Sequence, residues 1–123
     1  LIWLLFFLQL KHFVVDFLWQ PEYEWRNKGT LFHPGGIFHS FKHAVVTLFI
    51  LAILANPKTI SVPSIFLLAT LEFLLHYLID YCKMNINRVT GWKADTDPEF
   101  WYLLGFDQLL HQLTYLGIAA IVF

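Results

Sequence analysis

The chain has 123 residues, enough for one domain. Hydrophobic residues make up 58% and charged residues 14%, which is apolar-rich and charge-poor for a soluble domain. The net charge of −1 excludes a basic nucleic-acid footprint, and a single cysteine, Cys82, excludes an internal disulfide or a thiolate metal cage.

Four apolar segments follow one another. The first runs from Leu1 to about Trp19. Its opening run lacks a basic n-region and a small-residue cleavage site, so it reads as a retained helix, not a signal peptide. Pro21 ends it, because proline disfavours the helical region for the residue before it. The second segment spans about 37–55, entered through Pro34-Gly35-Gly36 and left through Asn56-Pro57. The third spans about 63–83, with Pro63 suited to a first helical turn. The fourth spans about 100–123, opened by Asp97-Pro98-Glu99, a sequence of cap, proline and acidic first turn. Each segment is close to the ~20 residues needed to cross a hydrocarbon core. A soluble bundle would need a polar face on every helix, and the second and third segments have too few polar residues. The expected fold is therefore all-α, an antiparallel four-helix bundle in a lipid bilayer forming a single domain.

The two long connections, 20–36 and 84–99, would share one side of the membrane. They and the helix ends beside them carry Arg26, Lys28, Lys83, Arg88 and Lys93, while the opposite side has Lys58. The positive-inside rule puts the long connections in the cytoplasm and both termini on the other side. Trp19, Trp25, Trp92 and Trp101 gather at the long-connection side, as an interfacial belt would.

Each segment contains one pair of polar residues four apart: His12 and Asp16, His39 and His43, His76 and Asp80, Asp107 and His111. Residues at this spacing lie about 40° apart in azimuth and roughly 6 Å apart along the axis, so each pair points one way. The chain reverses direction between segments, yet every pair falls near the same depth. His12, His43, His76 and His111 form a deep layer. Asp16, His39, Asp80 and Asp107 form a shallow one. Ionisable residues at such depth are expensive and mark functional sites. Five imidazoles and three carboxylates suit a divalent metal. Zinc is the first expectation, with iron and manganese as alternatives. Eight donors exceed what one catalytic zinc needs, so two ions are expected. A hydrogen-bonded or proton-relay network is the second reading, and haem or pigment ligation the third.

Other residues fall around the pairs. Glu72, one turn deeper than His76, is expected to move protons in catalysis. Gln20 and Gln108 are placed to orient ligands. Asn27, Lys28 and Lys83 lie nearest the ligand-bearing helix ends and are expected to hold an anionic substrate group. His33 reads as a solvated loop residue, and Tyr77, Tyr81 and Tyr115 as packing.

His12-x-x-x-Asp16-Phe17-x-x-Gln20, Asn27-Lys28, His39-x-x-x-His43, His76-x-x-Ile79-Asp80-Tyr81-x-Lys83 and Asp107-Gln108-x-x-His111, in this order, resemble the bacterial integral-membrane family known as domain of unknown function 3307. The resemblance covers essentially the whole chain. It implies a small four-helix membrane protein and no particular activity. The connection from Met84 to Trp101 is longer and richer in tryptophan than the family pattern. More distantly, the His/Asp pairs resemble those of membrane-bound metal-dependent hydrolases. The expectation is a hydrolase acting on a lipid or lipid-linked anion from the cytoplasmic leaflet of the bacterial inner membrane. A di-iron oxidoreductase, to which His39-x-x-x-His43 bears some likeness, and a non-enzymatic subunit of a larger membrane complex are the alternatives.

Overall fold

The computed structural model describes all 123 residues and is helical throughout, with no strand. Helix α1 (Ile2–Phe13) passes directly into a π-helical turn, Val14–Leu18. The Trp19 N–H donates to the Val14 carbonyl at 2.7 Å, the wide i→i+5 bond of a π turn. The first segment is therefore not a uniform α-helix. The extra residue in the turn changes the azimuth of Asp16 relative to His12.

The connection after Pro21 contains a one-turn helix, α2 (Glu22–Trp25). Helix α3 (Pro34–Leu54) starts before the expected Ile37, because His33 caps it. The His33 Nδ1 accepts the Gly35 N–H at 3.0 Å, so this histidine is an N-cap and not merely solvated. Helix α4 (Val62–Thr90) is opened by Ser61, whose hydroxyl accepts the Ser64 N–H. It continues well past Lys83, through residues expected to form a connection. The stretch 84–90 is polar but contains no glycine or proline to stop a helix. The Asn85 amide donates to the Tyr81 carbonyl within α4 and to the Gly29 carbonyl of the preceding connection. Gly91, at φ 71°, ends the helix in the left-handed conformation that glycine adopts without strain. Helix α5 (Pro98–Val122) begins at Asp97 as expected. The Asp97 carboxylate, however, accepts the Lys93 N–H and the Thr96 hydroxyl instead of capping the helix.

Helix α1 packs against α3 and α5, and α4 packs against the same two. Leu4 and Leu8 of α1 meet Leu51 of α3, Leu68 of α4, and Ile118 and Val122 of α5 in one apolar cluster. That cluster joins the starts of α1 and α4 to the ends of α3 and α5, so packed neighbours run antiparallel. The opposite half of the interior is polar. Thirteen buried residues are polar or charged against twelve hydrophobic ones. Large apolar side chains such as Phe49, Ile53, Leu74, Leu78 and Leu116 face outward. Helices α3 and α4 are each long and apolar enough to cross a membrane. Helix α1 has 12 residues, and α5 is interrupted by polar residues near its middle.

The connection between α1 and α3 folds closely over the polar end. A Cβ on buried Gly35 would stand 2.5 Å from the Tyr23 carbonyl oxygen and 3.2 Å from Asn27 Cβ. Gly35→Ala is expected to destabilise the protein by about 1–3 kcal/mol, the usual cost of overpacking. Thermal unfolding in detergent would measure it.

Candidate metal centre

The eight paired residues converge in the polar half, and all are buried. Three groups have potential ligand atoms mutually within 4.8 Å: Asp16, His39, His43 and His76; His12, His76 and His111; Asp80, Asp107 and His111. Every expected ligand belongs to at least one group. His76 is common to the first two and His111 to the last two.

Asp16 Oδ1 is the hub of the first group. The Nε2 atoms of His43, His39 and His76 lie 2.8, 2.9 and 3.6 Å from it. The His39 and His76 Nε2 atoms are themselves 3.2 Å apart. Three imidazoles thus aim the same ring nitrogen at one point beside a carboxylate. In the third group, His111 Nε2 lies 3.3 Å from Asp80 Oδ1 and 3.6 Å from Asp107 Oδ1. Asp107 Oδ1 is buried without a hydrogen-bond partner, as an oxygen reserved for a cation would be. The donor set, imidazole nitrogens with carboxylate oxygens, fits zinc, iron or manganese.

The deep histidines form a continuous array. Ring centroids are 3.7 Å apart for His43 and His76, 4.2 Å for His76 and His111, and 4.9 Å for His12 and His111. The ligand groups nevertheless cut across the two expected layers, and each of the first and third joins deep and shallow members. Side chains four residues apart reach to the same point despite the rise between them.

The model of the family described as "Protein of unknown function (DUF3307)" matches residues 4–123. The chain belongs to the DUF3307 family. No curated protein and no solved structure matches it.

Around the donors of this DUF3307 chain lies a ring of polar partners. Gln108 contacts both sides of the centre. Its Oε1 is 2.9 Å from His12 Nε2, and its Nε2 donates to Asp107 at 3.0 Å. Gln20 reaches the Asp16 backbone carbonyl at 2.6 Å, so it braces the π turn without touching the carboxylate. Tyr115 is not only packing: its hydroxyl lies 2.9 Å from His12 Nδ1. Lys28 reaches from the connection to Asp80 Oδ2 at 3.0 Å and is largely covered. Burial disfavours the Lys28 ammonium, but the carboxylate of Asp80, with Asp16 and Asp107 behind it, outweighs that and raises its pKa above the usual lysine value. Asn27 donates to the Tyr23 carbonyl and does not reach the centre. Lys83 stands beside an apolar groove that contains Asp107.

Three charged partners were missed. Lys11 is buried, ion-paired with Glu72, and its Nζ lies 3.2 Å from His43 Nδ1. Glu72 therefore has a counterpart on α1, and it connects to the cluster only through Lys11. Lys11 carried the same signal as His76, a charge inside an apolar run. Glu24 of α2 is buried, with Oε2 at 2.6 Å from Lys42 Nζ and 3.4 Å from His39 Nδ1. Nothing in the sequence distinguished Glu24 or Lys42 from solvated charges near a helix end.

Proposed function

We propose that this DUF3307 protein is a membrane-embedded metalloprotein holding two divalent ions, zinc first, and that it hydrolyses an ester of a lipid or lipid-linked anion at the cytoplasmic leaflet. The convergence of His39, His43 and His76 Nε2 on Asp16 Oδ1 carries the reading. Such a knot of buried imidazoles and carboxylates is hard to justify as interhelical glue worth roughly 1 kcal/mol per bond, given the cost of burying charge.

The placement in a bilayer rests on the outward leucines and phenylalanines, the polar interior and the two membrane-length helices. In this reading α3, α4 and α5 cross, and α1 crosses together with its π turn, residues 2–18. The 29 residues of α4, about 44 Å at the α-helical rise, carry its polar end beyond a ~30 Å hydrocarbon core. The basic connections face the cytoplasm of the bacterial cell.

Divalent ions held by the three donor groups would supply Lewis acidity for a substrate oxygen and for water. The protein's own residues hold and aim the donors. Gln108 orients His12 and Asp107, and Glu24 steadies His39. Lys28, paired with Asp80 Oδ2, holds that carboxylate in place. Glu72 is the residue that moves protons, and it does so by way of Lys11.

Elemental analysis of the detergent-purified protein tests the reading. Two equivalents of zinc or manganese, with release of phosphate or fatty acid from lipid esters, are expected. Absence of any divalent metal after expression in metal-supplemented medium overturns it. Two equivalents of iron with a bridged-iron optical band would favour the oxidoreductase alternative. Glu24→Ala is expected to weaken metal affinity about 10–100-fold, as loss of a partner that orients a ligand commonly does. Chelator competition would measure this, and Glu24→Asp should recover part of it.

A further inference from the structure

Besides a groove of about 290 Å³ between α1 and α3 that contains Lys11, three apolar grooves lie on the outer surface of the helices. One, of about 420 Å³, lies between α3 and α4 and contains no ionisable residue. The other two lie between α4 and α5, with volumes of about 430 and 230 Å³, and they share Ile79 and Leu110. They form one lateral furrow along the α4–α5 seam. This furrow differs from the first in what it touches. Glu72 lines its deep part and Asp107 its shallow part, with Lys83 beside Asp107. Glu72 Oε2 and Asp107 Oδ1 are both buried without a hydrogen-bond partner. The seam therefore runs past Glu72 and Asp107, whose unpaired oxygens lie buried just behind its apolar wall.

We infer that the α4–α5 furrow holds one acyl chain of an anionic phospholipid, with the phosphate held by Lys83 at the Asp107 edge of the metal centre. The inference rests on the hydrolase reading for its connection to chemistry. Length supports the occupant. From Leu68 to Lys83 along α4 the furrow runs about 22 Å at the helical rise. Half of a ~30 Å hydrocarbon core is about 15 Å, so a chain from the cytoplasmic leaflet fits within it. Charge supports the headgroup position. Lys11 and Lys28 are already paired with Glu72 and Asp80, whereas Lys83 has no carboxylate partner and stands at the shallow end. Small residues keep the furrow open. Gly117 and Thr114 line its deep part, and a Cβ on Gly117 would meet nothing within 4 Å. A large side chain at Gly117 would enter the furrow without forcing the helices apart.

The test uses the whole protein in phosphatidylcholine vesicles doped with phosphatidic acid that carries a diazirine in one acyl chain. Crosslinks are expected on Leu113, Gly117 and Ile121, competed by unlabelled phosphatidic acid and not by diacylglycerol. Gly117→Phe is expected to reduce labelling about tenfold or more, the ratio for a modest steric penalty. Thr70→Phe, which fills the α3–α4 groove, should leave it unchanged. Lys83→Gln should abolish the preference for phosphatidic acid over diacylglycerol. Labelling spread equally over both seams, or indifferent to Gly117→Phe and to headgroup charge, overturns the inference. Metal content measured on the same preparations separates the two ideas. Metal present with diffuse labelling defeats the furrow alone, and localised labelling with no metal defeats the hydrolase reading alone.

Discussion

On the proposed two-ion reading, replacing His76 with alanine is expected to remove the ion held around Asp16 and to loosen the other through Asp80, whereas Asp107→Ala removes only the ion held with Asp80 and His111. His76 belongs to the group around Asp16 and to the group that contains His12 and His111. Its Nε2 faces Asp16, His39 and Asp80 at 3.6, 3.2 and 3.3 Å. Asp107 belongs to a single group, with Asp80 and His111. Loss of a partner that merely orients a ligand costs 10–100-fold in affinity, so loss of the ligand itself should cost on the order of 100-fold or more. Metal-to-protein ratios after gel filtration would show the difference. His76→Gln, which keeps bulk and a polar atom, guards against a trivial loss of folding and should also bind less metal. Two equivalents retained in both His76 variants would show that His76 is not a ligand.

The second large effect lies deeper in the helices. Lys11→Met leaves the Glu72 carboxylate buried without its cation, and Glu72→Leu leaves the Lys11 ammonium without its anion. Breaking one side of a buried ion pair costs about 3–5 kcal/mol, while exchanging both sides for apolar residues is often nearly neutral. Each single variant should therefore be strongly destabilised, and Lys11→Met with Glu72→Leu should return to within about 1 kcal/mol of the parent. Unfolding in detergent micelles, analysed as a double-mutant cycle, measures the coupling. The double variant also tests what the pair does beyond stability. Lys11 Nζ lies 3.2 Å from His43 Nδ1 and can only donate to it, which leaves the proton on His43 Nε2, so the double variant should bind metal at least as well as the parent. Additive effects in the cycle would mean that the two charges do not depend on each other.

The helical class and the eight clustered residues could be read from sequence because both depend on periodicity. Polar residues recurring four apart in apolar runs have little choice of direction on a helix, and antiparallel reversals set their depth. The family match covers residues 4–123, the span that holds all four pairs. The end of α4 was not legible, since polarity at 84–90 marks exposure of a helix end as readily as a connection. The π turn at Val14–Leu18 was not legible either, because its hydrogen-bond pattern has no compositional signature. The depth of each pair, and hence the meeting of the four helices at one level, needed nothing beyond residue spacing.

What the tertiary structure alone decided is who meets whom across helices. It paired Glu72 with Lys11, brought Glu24 and Lys28 from the first connection onto His39 and Asp80, and turned Tyr115 toward His12. It also divided the donors into groups that cross the two layers, with His76 and His111 shared. Spacing along one helix determines a face and a depth. Which face of a neighbour it meets depends on the rotation of each helix about its axis, and that rotation is settled by packing of the whole set at once.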